Sequence, residues 1–338
     1  VFHERLAPPP VRILEALFAQ LDAHVLRVLV ELDVPDQLVR PASMADLADR
    51  LELEHDSFER LMRYAAARNF ISIDRRGRAR ASGITKALQS DAAAPWRGWV
   101  RFATSSWFDD AFRHLGPGMA AEGPSAFEVA HGTDFFGYTN DVDPDAGAVF
   151  DQAMSAGAMV QAIGLARTLK WDGIGSVCDV GGGSGAALDV LQRYHPNLEA
   201  VLFDLPEVVA RSGFLVEGGA SRQVVGGSFF DEVPSGHDRY LLLAVVHDWD
   251  DERAISLLGN VRAAMGPSAA AVVVETPRSA RPVHDFAAAS DLLMLALASG
   301  RERTDDEYVE LFSDAGLNVG RRHLLPSGAT AYELVTTR

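Results

Sequence analysis

Val177-Cys-Asp-Val-Gly-Gly-Gly-Ser-Gly185 runs out of an apolar strand into four glycines. A glycine-rich turn between a strand and a helix lets the backbone approach a ligand with no Cβ in between, so the stretch marks a nucleotide-like site. By itself it leaves the ligand open. Gly181, Gly183 and Ala186 satisfy the dinucleotide pattern G-x-G-x-x-A, and Asp179 equally opens D-x-G-x-G-x-G.

Around this turn, short apolar runs alternate with helical segments: Ser176–Val180, Ala200–Asp204, Tyr240–Val246, Ala270–Glu275 and a C-terminal apolar pair. That alternation predicts an α/β domain with a parallel sheet and crossover helices. Asp204 ends the second run, 25 positions after Asp179. An acid there can hold a ribose diol, or it can cap the helix that starts after Pro206. NAD and S-adenosylmethionine both carry that ribose, so the choice stays open here. The strand Arg239 to Val246 leads into His247-Asp-Trp-Asp-Asp251, which puts a histidine at the carboxyl edge of the sheet, where open α/β sheets bind ligands. Glu275 ends its own strand likewise, and Glu302 follows a helix over Asp291–Ala298. A plainer reading of His247 makes it a helix-entry residue beside Asp250, whose carboxylate caps Arg253.

Upstream, apolar residues at helical spacing predict an amphipathic helix from Val11 to Leu32. Ser43 is placed to cap a helix through Arg50, and a further helix is expected over Asp56–Asn69, followed by a strand Phe70–Ile73 and a turn Arg75–Arg78. Helix, turn, helix and basic hairpin together resemble a winged helix. Arg75, Arg76, Arg78 and Arg80 invite a DNA-binding reading, but a net charge of −16 repels a phosphate backbone and favours another role. Residues 96–165 read as mostly helical and dense in aromatic side chains, which serve as core or as walls for a flat ligand. The expected division is 1–95, 96–165 and 166–338.

With 338 residues and 48% hydrophobic content the chain can bury a full core. No apolar run, Leu241 to Val246 among them, approaches the length of a membrane span, and a cytoplasmic protein is expected. The single Cys178 reads as a buried small hydrophobe.

Taken in order, Phe150-Asp-Gln-Ala-Met154, Asp179-Val-Gly-Gly-Gly-Ser-Gly185, Phe203-Asp-Leu-Pro206, Gly227-Ser-Phe-Phe230, His247-Asp-Trp-Asp-Asp251, Glu275 and Gly300-Arg-Glu-Arg-Thr304 resemble the class I S-adenosylmethionine-dependent O-methyltransferases with an N-terminal winged-helix dimerisation domain. The resemblance covers nearly the whole chain. It implies a Rossmann-like methyltransferase domain behind an all-α/winged-helix dimerisation domain, a homodimer, and a methyl acceptor that is an aromatic or polyketide-like hydroxyl compound. It further implies that Gly181 and Gly183 meet the cofactor's amino-acid end, that Asp204 and Leu205 take the ribose region, and that Ser228, Phe229 and Phe230 border the adenine. Trp107, Phe150, Met154, Asp291 and Met294 would line the acceptor, His247 would be the general base, and Glu275 and Glu302 would flank it. Two positions depart from the family pattern: Ser228 stands where an acid is usual, and Leu243 where a polar or basic residue is common, both of which bear on cofactor affinity.

Clustered Asp248, Asp250 and Asp251 raise a metal-assisted route, but their adjacency better suits a solvated helix start, and no metal is expected. The remaining rivals are a protein of this fold that performs other chemistry on a natural product, and a ligand-sensing DNA-binding regulator. The second would need a basic recognition helix, whereas Asp56-Ser-Phe-Glu-Arg-Leu-Met-Arg63 carries both signs.

Overall fold

The computed structural model describes residues 7–120, 123–214, 221–281, 283, 286–298 and 300–336. The chain divides into two compact units, one ending at Ser106 and the other beginning at Trp107, so the stretch 96–165 is shared between them.

In the first unit, α1 (Pro9–Glu31) starts with prolines in its first turn, where their missing N–H costs nothing. Ser43 Oγ accepts from Asp46 N at 3.0 Å and caps α2 (Met44–Arg50), as its position in the sequence predicts. Then α3 (His55–Ala67) leads into the antiparallel pair β1 (Ile71–Ile73) and β2 (Ala79–Ala81). Leu29, Leu47, Phe58, Met62 and Ile71 form the small core of this unit. By contrast Ile13, Leu14, Leu17, Phe18 and Leu21 along α1 are exposed. The last helix of the unit, α4 (Arg97–Ala103), packs on α1.

The second unit is a seven-stranded sheet. After α5 (Ser106–Arg113), α6 (Ala126–His131) and the long α7 (Pro144–Thr168), the chain alternates β3 (Ser176–Val180), α8 (Ala186–Tyr194), β4 (Glu199–Asp204), α9 (Pro206–Arg211), β5 (Arg222–Gly226), β6 (Arg239–Leu243), α10 (Asp251–Ala264) and β7 (Ala270–Glu275). It then adds α11 (Phe286–Leu297), α12 (Asp305–Asp314), β8 (Leu317–Leu324) and β9 (Thr330–Thr336). The spatial order is β5-β4-β3-β6-β7-β9-β8. From β5 to β7 neighbouring strands are parallel, and β9 is antiparallel to both β7 and β8.

Successive residues of the central strands feed opposite faces. Cys178, Tyr240, Leu242 and Val273 join one core with Leu257, Val261, Tyr308 and Phe312. Val177, Leu241, Val272 and Val274 join the other with Leu165, Leu188 and Leu191. A parallel sheet covered on both faces needs such continuous apolar strands. Cys178 lies inside it, and burial pushes its thiol pKa up, which leaves the sulfur inert.

Sheet order reverses between β3 and β6, the point at which α/β sheets open a crevice at their carboxyl edge. β6 ends at Leu243, three residues earlier than the apolar run suggests. The cause is Ala244, whose φ of 54° turns the chain away while its N–H still donates to Val274 O at 2.9 Å. A short 3-10 turn, Val246–Asp248, follows and carries His247. Among the described residues no helix is long and apolar enough to cross a membrane.

Candidate active site

His247 is brought to the edge of the sheet by the turn after β6, and its ring is fixed from behind. Nδ1 lies 2.8 Å from Glu302 Oε1, within hydrogen-bond distance, and 3.6 Å from Glu275 Oε2. A carboxylate only accepts, so Nδ1 carries a hydrogen, and Nε2 is the nitrogen that has a free lone pair whenever the ring is neutral. Asp248 Oδ1 stands 3.5 Å from Nε2. Each carboxylate is itself held: Glu275 Oε1 accepts from the backbone N–H groups of Val246 and His247, and Glu302 Oε1 accepts from Ser290 Oγ at 2.6 Å. Glu275 and Glu302 are almost fully buried, and the Oε2 atom of each has no hydrogen-bond partner among the described residues.

The segment after α11 straps this arrangement together. Arg301 N donates to His247 O at 2.9 Å, and Glu302 N donates to Asp291 Oδ1 at 2.9 Å. Arg303, 1% exposed, donates to Val246 O, to Trp249 O and to the Asp251 carboxylate. A buried guanidinium is stable only with such a full set of acceptors. Asp250 meanwhile caps α10 through Arg253 N at 2.8 Å, the role the plainer reading had offered His247's neighbourhood. Asp248, Asp250 and Asp251 therefore serve different partners.

Charge in this cluster is unusual. Burial alone would lower the His247 pKa, but Glu275, Asp248 and Glu302 outweigh it and push the ring up to about 10. Burial, opposed by His247 and reinforced by Glu302, raises Glu275 to about 7. Asp248 rises to about 6, again through burial.

The glycine turn lies at the carboxyl end of β3. Gly183 has a φ of 57° and open space where a Cβ would stand, whereas a Cβ on Gly181 would come within 3.1 Å of Val245. Asp204 faces this turn: Oδ2 accepts from Gly183 N at 2.8 Å and Oδ1 from Leu205 N at 2.7 Å. It does not cap α9, which has no side-chain cap. Each oxygen keeps a further lone pair for a diol. Phe229 and Phe230 stand edge to face at 4.8 Å, and Phe230 meets Trp249 at 4.8 Å, with Arg253 over both Phe230 and Trp249. Ser228 borders a cavity of about 410 Å³ with Phe203, Val225 and Gly227. Open backbone, an acid with lone pairs to spare and adjoining aromatic rings fit an adenosyl group bearing an amino acid.

An aromatic chain runs from Trp107 through Phe135 to Phe150 and on through Phe136 to Trp249, the last two rings stacked at 5.5 Å. Met154 lies one turn beyond Phe150 on α7, and both are half-buried. Asp291 and Met294 lie on α11, and Asp291 spends Oδ1 on the Glu302 backbone. Sequence reasoning assigned no role to Trp249, Ser290 or Arg303. Trp249 and Arg303 were visible inside the quoted motifs, but Ser290 had no local signal, because its partner is 12 positions away.

Comparison with known proteins gives a consistent result. A model of the O-methyltransferase domain matches residues 112–318, and one of the O-methyltransferase dimerisation domain matches residues 14–87. The chain is 31% identical over 333 residues to O-demethylpuromycin-O-methyltransferase of Streptomyces alboniger, covering 96% of this chain and 88% of that one. It is 33% identical over 320 residues to 2,7-dihydroxy-5-methyl-1-naphthoate 7-O-methyltransferase of Streptomyces carzinostaticus, covering 89% and 95%. The crystal structure of CalO1, a methyltransferase in calicheamicin biosynthesis in its SAH-bound form, superposes with a TM-score of 0.83 at 28% identity over 97% of this chain and 98% of that one.

Proposed function

The chain belongs to the O-methyltransferase family and uses S-adenosylmethionine as methyl donor, and from that premise we propose that it methylates a hydroxyl of an aromatic or polyketide-like small molecule with His247 as general base. The acceptor class is supported by the aromatic chain that ends at Trp249, two residues after His247, and by the hydroxynaphthoate and puromycin-type names of its relatives. The observation that carries the base is the 2.8 Å contact between His247 Nδ1 and Glu302 Oε1.

When bound, the cofactor supplies a sulfonium-activated methyl group. The protein has two tasks: to align an acceptor oxygen and to take its proton. Glu302 holds the ring in the tautomer that leaves Nε2 free, and Glu275 adds the charge that stabilises the imidazolium once the proton arrives. A phenol has a pKa near 10. The flanking carboxylates raise the imidazolium pKa, which strengthens the ring as an acceptor for the phenol's proton. Gly181, Gly183, Asp204 and Leu205 would hold the amino-acid and ribose parts of the cofactor, and Ser228, Phe229 and Phe230 its base. Phe150, Met154, Trp107, Asp291 and Met294 would form the acceptor side.

We further infer a homodimer, supported by the match to a dimerisation domain and by the exposed apolar stripe of α1. A nucleic-acid role is disfavoured by charge pairing within the first unit: Arg78 Nε bonds Asp74 at 2.9 Å, and Arg63 pairs with Glu59 on α3.

The test is calorimetric titration with S-adenosylhomocysteine, with NADH as control, followed by incubation of S-adenosylmethionine with a panel of dihydroxynaphthoates and phenols. A gain of one methyl mass on an acceptor oxygen supports the assignment. Cofactor turnover that alters the acceptor without adding that mass would sink it.

A further inference from the structure

Ser155 follows Met154 on α7, and its Oγ donates back to the Asp151 carbonyl at 2.6 Å. A carbonyl has no proton to offer, so this bond uses the only proton of the Ser155 hydroxyl. The same Oγ lies 2.7 Å from Ser184 Oγ in the glycine turn. Ser184 must therefore be the donor in that contact. Its oxygen is left with lone pairs alone.

Position makes this one-sided oxygen consequential. Ser184 sits between Gly183 and Gly185, whose φ values are 57° and 80°, and the space beside Gly183 is open. Asp151, one turn before Ser155, is paired with Arg211. A group entering the turn thus meets an acceptor that cannot donate. It complements an N–H donor, most strongly a charged one, and repels a carboxylate.

We propose that Ser184, fixed as an acceptor by Ser155, binds the primary ammonium of the cofactor's amino-acid moiety. This rests on reading the glycine turn as the S-adenosylmethionine site. The bond also ties that turn to the helix that carries Phe150 and Met154.

The experiment is calorimetry with two ligands, S-adenosylhomocysteine and its analogue with hydrogen in place of the α-amino group, on the wild-type protein, S184A, S184T and S155A. Thermal melting checks that each variant is folded. A charge-assisted hydrogen bond is worth about tenfold or more in affinity. S184A is expected to lose that factor for S-adenosylhomocysteine and to bind the desamino analogue as the wild type does. S184T keeps the hydroxyl and the preference, and S155A, in which nothing fixes the Ser184 proton, loses part of the preference. The inference is overturned if S184A retains the wild-type preference, or if it weakens both ligands equally. If the wild-type protein binds neither ligand, the reading of the glycine turn falls with it.

Discussion

Gly300 packs against the backbone of His247 so closely that a Cβ on residue 300 would overlap the His247 carbonyl oxygen. The glycine is required by close approach and not by its backbone angles. The strap 300–303 can then lie flat along the turn after β6, placing the Glu302 carboxylate under the imidazole and the Arg303 guanidinium under the carbonyls of Val246 and Trp249. G300A should push the two segments apart. A displacement of about 1 Å at a catalytic group costs on the order of 10² in rate, so kcat is expected to fall by about that factor while S-adenosylhomocysteine binds as before. Unchanged kcat would show that the strap does not set the geometry.

Removing the proposed base itself should cost more. General-base catalysis contributes about 10²–10⁴ in rate, and H247A is expected to lose that much in kcat with cofactor affinity unchanged by calorimetry. Retained turnover in a folded H247A protein would remove His247 from the mechanism.

The pH profile follows from the same cluster. With a pKa of about 10, the neutral ring is the minor form at neutral pH. Its population rises about tenfold per pH unit below that value, so log kcat/KM should climb with roughly unit slope from pH 7 and level off towards pH 10. Because Glu302 helps raise the ring's pKa, E302Q should move this limb to lower pH and lower its ceiling, since Nδ1 is then less firmly held. Comparing the two proteins on one acceptor separates the enzyme's ionisation from the phenol's. An identical limb in both would assign it to the acceptor.

How much of this was legible in the chain depends on the range of the interaction. Local devices read directly: Ser43 caps α2, Asp250 caps α10, and the strand pattern around Asp179 gives a parallel sheet. The end of β6 is hidden in the sequence because Val245 and Val246 continue its apolar run, while the turn is made by a left-handed Ala244 that no composition rule marks. The sequence leaves Asp204 open between holding a ribose diol and capping a helix, and the structure shows its carboxylate on the N–H of Gly183, 21 positions away. Ser290, Trp249 and Arg303 act through partners that only the folded sheet edge brings together.

A last prediction concerns stability, and its sign comes from Asp179. This side chain is 2% exposed, and burial, reinforced by Asp204, raises its pKa from 3.8 to about 7. Between those two values the native protein binds a proton that the unfolded chain releases, so this residue makes stability fall as pH rises through that window and leaves it flat above. An uncharged side chain of the same shape is free of that loss. D179N should therefore gain little relative to wild type near pH 4 and progressively more up to pH 7, with an upper bound of about 4 kcal/mol for a shift of this size. Urea unfolding of both ligand-free proteins at pH 5 and pH 8 measures it. The explanation requires the difference in midpoint to be larger at pH 8; a difference independent of pH would mean that Asp179 is already neutral, or already ionised, throughout.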